Sequence, residues 1–133
     1  MREILFKAKS DNIDGTFDWV EGYLSKCDGK WTICDDDGCG CFIDENTICQ
    51  YTGLTDKHGS KIWENDIVKD GESLIAKIVF NKFQFACHVF KSEYVLTLGC
   101  TFPLHQWDKD VKNDLRQLEV IGNIFDNTDL LEV

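Results

Sequence analysis

A chain of 133 residues with 24 acidic against 14 basic residues carries a formal charge of -10. The length fits one domain, residues 1–133, with a hydrophobic core large enough to need no covalent staples. The acidic balance argues against a direct grip on a phosphate backbone unless folding gathers the lysines on one face, and it fits solubility or a basic protein partner.

The first segment, MREILFKAKSDN, lacks the apolar core of a secretory signal. Its Glu3–Lys9 portion reads as a short strand. Glycine-bearing turns then punctuate the chain at Asp14-Gly15, Asp28-Gly29, Asp37-Gly38, His58-Gly59 and Asp70-Gly71. Asp-Gly supplies the positive-φ positions of tight hairpins, so the spacing predicts an antiparallel β protein. Between these turns, Phe17, Trp19 and Tyr23 recur at odd positions and share one face of a strand over 17–24. Trp31–Cys34 and Gly40–Ile43 are further short strands.

In the second half, strands are predicted over Ile67–Lys69, Ser73–Phe80, Phe83–Phe90 and Tyr94–Leu98, with Asn81-Lys82 as a two-residue hairpin link. Phe83, Phe85, Cys87 and Val89 line one face of the third of these, and Gln84, Ala86, His88 and Phe90 the other. Over Leu104–Leu118, Val111, Leu115 and Leu118 fall at helical spacing, which leaves helix and long loop both open. A last strand over Glu119–Phe125 precedes a closing helical turn capped by Asn127 or Thr128. No segment approaches the roughly 18 apolar residues of a membrane span. The expectation is a soluble protein of the cytoplasm, without membrane contact, whose seven cysteines stay reduced and form no disulfide.

The stretch QYTGLTDKHGSKIWENDIV, residues 50–68, is built for chain reversal. Asp56-Lys-His-Gly59 has Asp first and Gly last, as in a type I turn leading into a glycine bulge. Asp66 can hydrogen-bond backbone amides in the bend that follows Trp63. This stretch, MREILFKAK at the N-terminus and LEVIGNIFDNTDLL at 118–131 together resemble the YopX family of bacteriophage and prophage proteins. That family's central motif usually has Tyr and Gly where this chain has Trp63 and Asn65. Trp keeps an aromatic anchor, and Asn keeps a residue that tolerates the left-handed conformation. The resemblance spans both termini and the centre. It implies a mainly β fold, an SH3-like barrel or roll with additional antiparallel hairpins and one or two short helical segments. It also implies a phage accessory protein, and it carries over no catalytic residue.

Chemistry is sparse. Cys34, Cys39, Cys41 and Cys49 follow C-x4-C, C-x-C and C-x7-C gaps, a poor match to the paired knuckles that zinc favours, so no metal ligand set is expected. Asp35, Asp36 and Asp37 do not follow the alternate spacing of a calcium loop. Cys87 and His88 are neighbours on a strand and point to opposite faces, which separates them as a catalytic pair. His58 and His105 read as surface or packing residues, and Glu64 with Asp66 as turn-capping acids. No phosphate-cradling loop or nucleophile elbow is present. No catalytic residue and no cofactor are therefore expected.

The aromatics point elsewhere. Trp19, Trp31, Trp63 and Trp107, with Tyr23, Tyr51 and Tyr94, include residue types favoured as interface anchors, although core packing claims most of them. The expected binding surface is Tyr51, His58, Trp63, Glu64 and Asp66, taking a protein partner or a second copy of the chain. The leading reading is a non-enzymatic phage accessory protein. The alternatives are a nucleic-acid-linked protein, either a DNA binder or an acidic DNA mimic, and a metal-dependent enzyme.

Overall fold

The computed structural model describes residues 4–11, 18–34, 40–71, 74–81, 84–92, 98–104 and 118–131. Length predicts one domain; the chain divides into two compact units, one ending at Gly53 and one beginning at Leu54. The expectation of a mainly β protein holds in both, and every described strand pairing is antiparallel.

In the first unit, β1 (Phe6–Lys9), β2 (Trp19–Cys27), β3 (Lys30–Cys34) and β4 (Gly40–Phe42) form a meander, and β5 (Cys49–Thr55) adds on the other side of β1. Asp28 and Gly29, with φ of 50° and 79°, close the β2–β3 hairpin as its Asp-Gly signal predicts. Ala8, Ile33 and Ile43 are buried with Phe6, Val20, Leu24, Trp31 and Ile48 packed against them, all from one face of the strands and the segment after them. The sheet curls so that Ser10 bridges Ile43, with Asp44 N donating to Lys9 O at 2.9 Å. A 3₁₀ turn at Glu45–Thr47 follows, capped by Asp44. The buried Thr47 ties it to β1 by accepting the Lys9 N–H at 2.9 Å while donating to Asp44 O at 2.7 Å. No closed barrel is found among the described residues.

In the second unit, the end of β5 turns into β6 (Lys61–Trp63), and a five-stranded sheet follows in the order β10-β9-β8-β7-β11. Its strands are β7 (Asp66–Asp70), β8 (Leu74–Asn81), β9 (Gln84–Ser92), β10 (Thr101–Pro103) and β11 (Leu118–Asn123). Val68, Ala76, Ile78, Phe85, Cys87, Val89 and Leu118 supply its core together with Ile62 and Leu104. Phe85, Cys87 and Val89 thus share the buried face that their alternation predicts.

Three details differ from expectation. Asn81 pairs with Gln84, so the β8–β9 connection falls one residue later than Asn81-Lys82. Thr101–Pro103 is a strand despite its proline, tolerated because β10 lies at the sheet edge where no further ladder bond is required. The closing turn is a 3₁₀ turn at Thr128–Leu131, but the Asn127 side chain looks backward and accepts the Asn123 N–H at 3.1 Å. The strand expected over Tyr94–Leu98 and the helix or loop over Leu104–Leu118 lie almost wholly outside the described residues, as do the Asp14-Gly15 and Asp37-Gly38 turns. No helix among the described residues is long and apolar enough to cross a membrane.

Candidate functional site

The residues 50–68 build two turns. In the first, Asp56 N donates to Ser60 O at 2.8 Å and Gly59 N to Asp56 O at 3.0 Å, with Gly59 at φ 83°, the turn and bulge that the sequence signals. The Asp56 side chain does more than close its own turn. One carboxylate oxygen accepts the His58 and Ser60 N–H groups, each at 2.9 Å, and the other accepts the Val120 N–H on β11 at 3.0 Å. Burial alone would push this carboxyl up; the three backbone donors, with His58 nearby, hold it below the ordinary carboxylate value.

In the second turn, Asn65 adopts φ 72°, a left-handed conformation that asparagine tolerates. Its N–H donates to Ile78 O at 2.8 Å and its carbonyl accepts from Ile124 N at 3.0 Å, so the bend is tied to β8 and to the end of β11. Asp66 accepts the Trp63 N–H at 2.8 Å and is 2% exposed.

Burial decides what this stretch presents. Tyr51 and Trp63 are 6% and 4% exposed. With Asp66 also buried, three of the five residues expected to bind present almost no side-chain surface. His58 is exposed and Glu64 half-buried. His58 Nε2 lies 3.4 Å from Glu119, whose other oxygen is 3.8 Å from Lys57 Nζ and 3.4 Å from Lys69 Nζ. Partial burial would raise the Glu119 carboxyl, yet Lys69, Lys57 and His58 hold it below its ordinary value.

An open aromatic surface lies in the first unit. Pairing of Lys9 with Trp19, Lys7 with Glu21, Tyr23 with Cys34 and Thr32 with Phe42 puts these residues, with Ser25 and Lys30, on the sheet face opposite the core. Tyr23 and Phe42 are 53% and 51% exposed. Lys7 and Lys9 place their ammonium groups 4.7 and 5.6 Å from the Trp19 ring centre, and Lys30 sits 5.6 Å from that of Phe42. Ser25 and Thr32 share a 2.8 Å hydroxyl bond between them. Alternation over 17–24 predicts that Trp19 and Tyr23 share a side; only packing decides that this side is the open one.

Burial, with Asp70 adding to it, pushes the Cys87 thiol up to about 12, so it is an inert core residue. His88, across the strand, has Nδ1 2.9 Å from the Thr101 hydroxyl. Among the described residues no group of His, Cys, Asp and Glu is arranged to hold a metal ion.

The family model described as YopX protein matches residues 6–132. The chain belongs to the YopX family. The match covers both compact units and nearly all of the chain, including both turns of residues 50–68 and the Val120 and Ile124 backbone that Asp56 and Asn65 hold. In this YopX member the turns at Asp56–Ser60 and Trp63–Asp66 thus clasp strands within the second unit. Comparison with curated proteins finds no match.

Proposed function

We propose that this chain is a non-enzymatic phage or prophage accessory protein of the host cytoplasm that works by binding another protein, and that the open sheet face around Tyr23 and Phe42 is its contact surface. The observation that carries this reading is two large rings, each more than half exposed, on the outer face of an ordered sheet. Aromatic anchors on a rigid element bind with little loss of side-chain entropy and are favoured hot spots. The Ser10–Ile43 bridge across the first unit's sheet supports reading that unit as an SH3-like roll.

A second reading, direct contact with nucleic acid, draws on the same face. Lys7, Lys9 and Lys30 lie there beside Trp19, Tyr23 and Phe42, the pairing of cations and rings that single-stranded nucleic acid uses. Net charge favours the protein partner, since the chain as a whole is acidic.

Capture from host lysate, with and without nuclease, tests both. A protein retained after nuclease by the parent and lost by folded Tyr23→Ala/Phe42→Ala supports the first reading. Retention of every captured protein by that variant refutes it, and nuclease-sensitive capture favours the second.

A further inference from the structure

Beside Phe42, at the β2–β3 hairpin end of the first unit, a cavity of about 630 Å³ is lined by Asp11, Lys30, Trp31, Phe42, Asp44 and Glu45, among others. This lies within the roughly 300–1,000 Å³ of ordinary ligand pockets. The backbone beneath its acids is fixed: Asp11 N donates to Phe42 O at 2.9 Å, Asp44 N to Lys9 O at 2.9 Å, and Ile43 N to Trp31 O at 3.3 Å. Asp44 Oδ1 also accepts the Asn46 N–H at 3.1 Å.

Two properties select the occupant. Asp11, Asp44 and Glu45 against Lys30 give the lining residues an acidic balance, so a cation is favoured there. Both aromatic walls already carry cations of the chain itself, Lys26 at 4.9 Å from the Trp31 ring centre and Lys30 at 5.6 Å from that of Phe42. Both rings are thus of the kind that accepts a cation over a face once that face is free, and Phe42 remains half open to solvent.

We propose that this cavity receives an arginine side chain of the protein partner. Arginine fits better than lysine because its planar guanidinium stacks on rings while its N–H groups reach carboxylates in pairs. The proposal rests on the protein-binding reading above and names the chemistry that reading would use. It also assigns Lys30 a competing role: its ammonium holds the wall that the incoming guanidinium would stack on.

The test is a titration of the isotope-labelled full chain, followed by amide NMR, with acetyl-Gly-Arg-Gly-amide, with its uncharged citrulline counterpart, and with a short oligothymidylate. The arginine peptide should shift the amides of residues 29–31 and 42–46 saturably, with a dissociation constant on the order of millimolar. Citrulline should bind several-fold more weakly, Glu45→Gln should weaken arginine binding about twofold to fivefold, and Lys30→Gln should strengthen it by a similar factor. The same spectra report whether each variant is folded. Equal response to citrulline, shifts that never saturate, or binding weakened by Lys30→Gln would overturn the proposal. Oligothymidylate shifting these amides in place of the peptide would do the same and favour nucleic acid. Lysate capture that depends on Tyr23 and Phe42 without arginine binding defeats the arginine assignment alone, whereas arginine binding without any captured protein defeats the functional reading.

Discussion

Asp56 and Val120 lie 64 positions apart, and a carboxylate oxygen of Asp56 accepts the Val120 backbone N–H at 3.0 Å. One buried acid therefore closes the β5–β6 turn and ties it to β11. Replacing Asp56 with Ala leaves three backbone donors without this acceptor and should lower unfolding free energy by about 2–3 kcal/mol. Asp56→Asn keeps one acceptor oxygen for His58 and Ser60 but turns an amide N–H₂ toward the Val120 donor, so an intermediate loss is expected. Urea unfolding of the three proteins at pH 7 checks the order.

The same contact sets a pH dependence. The folded Asp56 carboxyl lies below its ordinary value of 3.8, so its contribution is present above that value and is lost as pH falls through the lower folded one. Stability measured downward from pH 6 should therefore fall less steeply below about pH 4 in Asp56→Asn than in the parent. Identical profiles would mean that the carboxylate is not held by these donors.

Asn65 stands at φ 72°. An alanine methyl crowds the backbone at positive φ and offers no hydrogen bond in return, so Asn65→Ala should be less stable than Asn65→Gly by about 1 kcal/mol. Thermal or urea unfolding of this pair isolates the backbone effect, because both variants lack the amide side chain.

At Gly22 on β2, an added Cβ would overlap the carbonyl oxygen of Cys34 on the neighbouring strand, a backbone atom that cannot swing aside. Gly22→Ala should disorder the first unit, seen as loss of dispersion in the amide spectrum for β2 and β3. A spectrum like the parent's would contradict this packing.

Thiol chemistry provides another check. Cys27 and Cys41 are exposed, while Cys49 and Cys87 are buried. Iodoacetamide at pH 8 followed by peptide mass spectrometry should label Cys27 and Cys41 first, and Cys49 and Cys87 only after denaturation.

Much of the local architecture was legible. Asp28-Gly29 and Asp56–Gly59 are turns whose residues dictate their backbone, and Phe85, Cys87 and Val89 alternate in a way only a half-buried strand explains. What failed was the assignment of sides. Period two groups Trp19 with Tyr23, but nothing in the pattern says that this face stays open while Tyr51 and Trp63 are covered. Aromatic content thus drew attention to two rings that folding covers. Contacts across the chain, such as Asp56 to Val120 or Glu119 to Lys57, His58 and Lys69, have no local signature because strand order, set by packing, creates them.

The central claim is that residues 50–68 build the fold while the Tyr23–Phe42 face binds. Lysate capture with two folded variants side by side tests it most directly: Tyr23→Ala/Phe42→Ala on the open face, and His58→Ala/Glu64→Ala at the solvent-reaching positions of the central stretch. The account predicts that the first loses the nuclease-resistant partner and the second keeps it. Loss in the second with retention in the first would return the binding surface to the central turns and contradict the account.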